Sequence, residues 1–371
     1  MNKLSSKYLG FIILCAMLLG CDKEEKFYLG ADLSYVNEVE DGKAFYQENG
    51  QKVEPYQFFA DKGCNLVRLR LWHNPKPTPY SNYEDVKKSI KRAKDAQMEV
   101  LLDFHYSDTW ADPSKQYIPD AWAHIDDLQI LGDSVYQYTY NTLMQLHRDN
   151  LLPEMVQVGN ETNSEILQPF ETNKEDIDWK RNAFLLNQGI KAVRYVAKET
   201  EKNIEIMLHI AQPENALTWF PAAQKAGITD YDWIGLSYYP LWSEYKFGNL
   251  SKALIKLITE QQKKLMIVET SYPHTFYNAD QANNILNEKS LLKEYPATPK
   301  GQRKYMIDLT QIVMDSGGLG VVYWEPAWVT SESKTLWGTG SHWDNATFFD
   351  HQNQNEALTA FDFFNLNSYK R

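Results

Sequence analysis

The amino-acid sequence predicts a single closed (β/α)8 barrel, and three observations carry that expectation. Eight short runs rich in β-branched and aromatic residues recur along the chain. Amphipathic stretches of helical period lie between them. No Pro/Gly/Ser-rich linker or low-complexity tract divides the 371 residues. Buried strands alternating with helices form a parallel sheet, and eight such units close it. An open doubly wound sheet would carry a Gly-rich phosphate turn after an early strand. Neither Gly30-Ala31-Asp32 nor Gly63-Cys64-Asn65 makes one.

The first twenty residues stand outside that fold. Lys3 and Lys7 precede an apolar run from Leu9 to Leu19, the core of a signal peptide and too short for a comfortable membrane span. Leu18-Leu19-Gly20-Cys21 resembles a bacterial lipobox, in which cleavage exposes the Cys and its thiol takes a diacylglyceryl group. Residues 1–20 are therefore expected to be a lipoprotein signal, with Cys21 as the lipidation site. Residues 21–26 form a short acidic tether; Asp22-Lys23-Glu24-Glu25 resembles the export tag of bacterial surface lipoproteins. That reading places the protein on the outer membrane, at the cell surface. Cys15 leaves with the signal and Cys21 is lipidated, so Cys64 remains alone and no internal disulfide can form.

The barrel occupies residues 27–371, with strands expected over 27–32, 65–71, 100–104, 155–159, 204–210, 233–237, 265–269 and 320–324. Helices are expected over 83–97, 134–150, 179–198, 250–263 and 301–315; Val86, Ile90 and Ala93 mark one apolar stripe. The balance of 38 basic against 49 acidic side chains argues against nucleic acid as a partner. Eleven Trp and 23 Tyr exceed what a core of this size needs, so part of that set should line a binding surface.

Functional groups of such a barrel project from the C-terminal strand ends. Here those ends carry Asp32, Arg68 and Arg70, His105, Asn160-Glu161, His209, Tyr238-Tyr239, Glu269 and Trp324-Glu325. One polar strand end is commonly a cap or a rim ion pair. Polar ends on nearly all eight strands describe a polar, aromatic-lined cleft. Glu161 ends the fourth strand and Glu269 the seventh, on opposing parts of the mouth, where two carboxyl groups can flank one glycosidic bond. His105 and His209 have no third ligand at metal spacing, so no metal is assigned to them.

The Asn160-Glu161 pair and Glu269 resemble the clan A glycoside hydrolases. Gly30-Ala31-Asp32-Leu33-Ser34, Val67-Arg68-Leu69-Arg70-Leu71-Trp72, the string from His105 to Pro113, Gly235-Leu236-Ser237-Tyr238-Tyr239-Pro240 and Tyr323-Trp324-Glu325-Pro326-Ala327-Trp328 resemble glycoside hydrolase family 53 more specifically. The matches run from the first strand to the eighth. The resemblance implies an endo-β-1,4-galactanase acting on galactan or type I arabinogalactan by retaining double displacement. Glu161 would be general acid/base and Glu269 nucleophile. Glu161 must then be protonated when substrate arrives, and Glu269 ionised. Arg68 is expected to hold Glu269 charged, with Arg70 as second choice and Tyr238 donating a hydrogen bond. Asn160 is expected on the sugar 2-hydroxyl, and Asp32, His105 and His209 on other hydroxyls. Trp324 should floor the bond-cleaving subsite, with Trp110 and Trp328 as platforms on either side; Trp72 reads equally as core or site.

Some bacterial relatives bind calcium through an Asp-x-His-x-Asn string after strand seven. The corresponding residues here run from Asp280 to Asn284 with Ala282 at the His position. Asp280 and Asn284 are thus weak calcium candidates, and no cofactor is required for the chemistry. The expected partners are galactan chains and, through the lipid anchor, a membrane, with the protein acting as a monomer. Two other readings compete. A mannanase or xylanase of the same clan would share the carboxylates and differ in its subsites. A non-catalytic glycan-binding barrel would keep the tryptophans and lose a carboxylate.

Overall fold

A computed structural model describes residues 25–76, 78–172, 176–335 and 338–370; the expected signal peptide and Cys21 lie outside these. Eight parallel strands close into a barrel: β1 (Tyr28–Asp32), β2 (Leu66–Leu71), β3 (Glu99–Phe104), β4 (Met155–Val158), β5 (Glu205–Ala211), β6 (Trp233–Ser237), β7 (Lys264–Thr270) and β8 (Gly320–Tyr323). Each pairs with its sequence neighbours, and β1 closes the ring against β8 and β2. The single (β/α)8 barrel expected from the sequence is the fold observed, with strand limits within one residue.

The helices depart more from expectation, and side-chain caps explain part of the difference. The helix after β3 starts at Leu128, six residues before the expected 134, because Asp127 accepts from the backbone N–H groups of Gln129 and Ile130. Pro299 opens the helix Pro299–Asp315, and Thr298 accepts from Gly301 N–H. The helix Pro213–Lys225 was not expected; Pro221 inside it interrupts the sequence signal, while Ala216, Trp219, Phe220 and Ala223 still bury one face. The first unit carries two short helices, Val36–Asp41 and Pro55–Asp61, and the last is completed by a 3-10 helix, Thr359–Phe364. A four-stranded sheet of residues 46–48, 51–53, 349–350 and 356–357 ties the first unit to the chain after β8.

The barrel interior is layered. Tyr28, Leu66, Leu101, Met155, Met207, Trp233, Met266, Val268 and Val322 form an apolar floor. Gly235 leaves space there: a Cβ on it would lie 2.7 Å from Met207 Sδ and 3.1 Å from Val268 Cγ1. Above that floor the inward positions turn polar, which is where the site begins.

Candidate active site

Strand alternation puts Arg68 and Arg70 of β2 inside the barrel, two residues apart on one face. Arg68 is 1% exposed and gives its N–H groups to Asp32 (2.9 Å), Asp103 (2.8 Å), Asn160 (2.6 Å), Gln157 (3.3 Å) and Glu269 (3.2 Å). Burial works against its charge, and Asp103, Asp32 and Glu269 overcome that, so it is held cationic. Arg68 meets Glu269 as expected, but it lies behind the carboxylates and does not line the cleft. Arg70 goes elsewhere, to buried Glu325 at 3.2 Å, with its guanidinium 4.2 Å from the Trp110 ring centre.

Local backbone strain aims Glu161. After β4 ends at Val158, Gly159 takes φ +85, where a Cβ would meet Thr162 Cγ2 at 2.6 Å, and Glu161 itself sits at φ +44. A non-glycine residue there is uncommon and costs energy that surrounding contacts must hold. Those contacts include Thr162 N–H to His209 O (2.9 Å) and Asn163 N–H to Glu161 O (2.7 Å).

Glu269 is aimed by a different device. Leu236 pairs with Ile267 but Ser237 pairs with Glu269, and on the other side Val321 pairs with Ile267 but Tyr323 with Thr270. The extra residue is a β-bulge around Val268, which lets Val268 fill the apolar floor while Glu269 turns into the mouth. An oxygen of Glu161, one of Glu269 and a ring nitrogen of His209 lie within 4.8 Å of one another.

Burial pushes both carboxyls upward. Glu161 rises well above the usual range, with the charge of Glu269 adding to the burial and Ser237 and Arg68 opposing it. Glu269 rises to about 7 by burial, while Arg68 and a hydrogen bond from Tyr239 pull it down. Arg68 and Tyr239 both bond Glu269 and favour its charged form, whereas Glu161 meets the Ser237 hydroxyl. The ionised state of Glu269 rests on Arg68 and Tyr239 and is not intrinsic to its position.

Tyr239, not Tyr238, donates to Glu269, at 2.8 Å. The reason is alternation along β6: Trp233, Gly235, Ser237 and Tyr239 face inward. Tyr238 faces the helices, where it stacks on Phe247 and donates to Tyr245 O. The inward parity of Trp233 and Ser237 was a signal that could have found this. Three more expected substrate contacts are buried beneath the cleft. Asp32 accepts from Ser34 and Arg68. His105 Nδ1 accepts from Trp72 Nε1 and Ala111 N–H, leaving its Nε2 proton to Asp103. His209 lies between Asn160 and Ser237. Burial lowers both histidines, His209 well below the usual value, so each is neutral. These residues fill the polar layer between the apolar floor and the mouth and do not line the cleft. Asp103, Gln157 and Ser237 belong to the same layer and were not singled out from sequence.

The cleft above it has a volume of about 740 Å³. Trp110, Asn160, Glu161, Glu269, Trp324 and Trp328 all line it, as expected, joined by Asp112, Gln212, Tyr239, Trp242 and Trp343. Trp324 meets Trp343 at 83° and Trp328 at 82°, while Trp328 stacks flat on Tyr35 at 3.8 Å. Trp72 is core. Asn284 meets Asp344 at 2.7 Å and the charge of Asp280 acts on it, but protein donors occupy both carboxylates. Asp280 accepts from Ala282 N–H, Ser341 N–H and Thr330, and Asp344 from Ala279 N–H and Asn284.

The glycosyl hydrolase family 53 model matches residues 28–364. The chain is 56% identical to an arabinogalactan endo-β-1,4-galactanase of Cellvibrio japonicus, over 95% of this chain and 94% of that one. It is 36% identical to an endo-β-1,4-galactanase of Bacillus subtilis, over 85% of this chain and 76% of the other. The solved family 53 catalytic domain of Ignisphaera aggregans superposes with a TM-score of 0.84 at 30% identity, covering 93% of this chain and 97% of that domain. With a match that spans the barrel from β1 to the closing 3-10 helix, this chain belongs to glycosyl hydrolase family 53.

Proposed function

We propose that this glycoside hydrolase cleaves internal β-1,4-galactosidic bonds of galactan by retaining double displacement, without a metal or cofactor. The observation that carries the reading is the approach of Glu161 and Glu269 to within 4.8 Å at the floor of a tryptophan-lined cleft. Inverting enzymes hold their carboxyls about 6.5–9.5 Å apart to admit a water, whereas retaining ones close to about 5–5.5 Å. Glu161, protonated when substrate arrives, gives its proton to the leaving oxygen. Glu269, kept ionised by Arg68 and Tyr239, attacks the anomeric carbon from the opposite face. Glu161 then takes the proton of the water that releases the sugar. Asn160 commits one amide hydrogen to Ala111 O at 2.8 Å, and its second serves the sugar 2-hydroxyl.

Substrate choice follows from the named relatives and from the shape of the aromatic wall. The axial 4-hydroxyl of galactose makes a β-1,4-galactan chain curve. Trp324, Trp328 and Trp343 meet at steep angles, which suits a chain that bends and suits a straighter glycan less. Incubation with linear galactan, mannan and xylan is expected to release short galacto-oligosaccharides and almost nothing from the other two. A hydroxyl of the wrong configuration leaves buried polar groups unpaired at about 1–3 kcal/mol each. Equal rates on galactan and on xylan or mannan would transfer the enzyme to another specificity of its clan.

The lipobox-like string supports a second part of the reading: the barrel works as a monomer, tethered by residues 21–26 to the outer membrane at the cell surface. Among the described residues no helix is long and apolar enough to cross a membrane. Acyl chains contribute about 0.8 kcal/mol per buried CH₂, enough for stable anchoring when more than one is attached. Cys21→Ala is expected to move the enzyme from the membrane fraction to the soluble one with its specific activity unchanged. Protease added to intact cells should remove activity from the wild type; activity that survives such treatment points to a periplasm-facing anchor.

A further inference from the structure

Glu161 is held from below by two residues that never meet the cleft. Ser237 Oγ lies 2.6 Å from Glu161 Oε1, and His209 Nε2 lies 2.8 Å from the same Oγ. Both Ser237 and His209 are fully buried. A serine hydroxyl has one proton, so the direction of this chain depends on which nitrogen of His209 carries hydrogen.

The carboxylate decides it. An ionised Glu161 can only accept, so Ser237 gives its one proton to Oε1 and Nε2 of His209 supplies the hydrogen that Oγ receives. Nδ1 is then the acceptor, with the Glu161 N–H at 3.4 Å, Gln157 Nε2 at 3.1 Å and Asn160 Oδ1 at 2.9 Å around it. His209 donates to Ser237, and Ser237 donates its own proton to Glu161 Oε1.

We propose that Ser237, oriented by His209, is a positioning residue that pins Glu161 through Oε1, leaves Oε2 to meet the glycosidic oxygen, and strengthens Glu161 as an acid. The inference rests on the acid/base reading of Glu161. A hydrogen bond into a carboxylate is stronger than one into the neutral acid. The contact therefore favours the state reached once the proton has left, and it assists departure of a poor leaving group. It offsets part of what burial and the charges of Glu269 and Asp112 impose on Glu161, in the same sense as Arg68. Arg68, His105, Glu161 and Glu269 are the charged and titratable groups that face His209.

The test compares galactan, whose departing sugar needs a proton, with 2,4-dinitrophenyl β-galactobioside, whose leaving group needs none. Ser237→Ala is expected to lower kcat/KM on galactan by about 10- to 100-fold, as loss of one charge-assisted bond implies. The dinitrophenyl substrate should lose a much smaller factor, and the alkaline limb of the galactan profile should move to higher pH. Equal losses on both substrates with an unmoved limb would show a structural role and overturn the proposal. Glu161→Gln provides the control. If that variant shows no such leaving-group dependence, the acid/base reading itself fails. Independently of any variant, the ¹⁵N shifts of His209 in the wild-type enzyme should show a protonated Nε2; a protonated Nδ1 overturns the chain's direction.

Discussion

Glu161→Gln should lower turnover on galactan by about 10²–10⁴-fold, the usual contribution of a positioned acid/base, while the polysaccharide still binds. The glutamine keeps the shape and a partner for Ser237 but has no proton to give the leaving oxygen. The alkaline limb of the pH profile should vanish with it. In the wild type that limb marks loss of the proton from Glu161, whose carboxyl is raised by burial and by Glu269. Glu269→Gln should lose more, because no carboxylate remains to form the glycosyl-enzyme. Glu269→Ala should recover part of its rate with azide, which can enter the vacated space and attack the anomeric carbon. The first product released by the wild type should keep the β configuration, as proton NMR during early hydrolysis would reveal. An α product, or a Glu269→Ala variant indifferent to azide, would remove Glu269 from the nucleophile's role.

The second large effect belongs to Arg68. Arg68→Met fills similar volume but leaves Asp32, Asp103 and Glu269 with no cation among them. Removing one partner from a buried ion pair costs about 3–5 kcal/mol, because the remaining charge stays desolvated. Denaturant unfolding at neutral pH should show a loss of that order. The loss should shrink on acidification. A folded state with uncompensated buried carboxylates binds more protons than the unfolded chain, so its stability rises as pH falls. Residual activity should carry the same signature. Arg68 now pulls Glu269 down towards about 7, so without it the carboxyl rises further and the acid limb moves to higher pH. A variant as stable as the wild type at neutral pH, or a deficit that grows in acid, would contradict this account of the network.

Much of the molecule was legible in the sequence because it depends on local pattern. Eight buried runs and the stripes between them determined the barrel, since each strand or helix writes its own period into neighbouring residues. The carboxylates followed from position. Glu161 and Glu269 end strands, and strand ends of this fold meet at the mouth. Trp324 follows the eighth strand, while Trp110 and Trp328 came from the strings that resemble family 53. The tertiary structure alone decided which way the strand-end side chains point and which of them share a partner. Simple alternation from Met266 and Val268 sends Glu269 out toward the helices; the bulge around Val268, a matter of register with β6 and β8, turns it inward. Five ligands drawn from β1, β3, β7, β4 and the turn after β4 converge on Arg68. No window of sequence contains that set. The same convergence buried Asp32, His105 and His209 under the cleft they were expected to line. Depth within a closed barrel is fixed by strand tilt and stagger, quantities set between strands far apart in the chain and absent from any one of them.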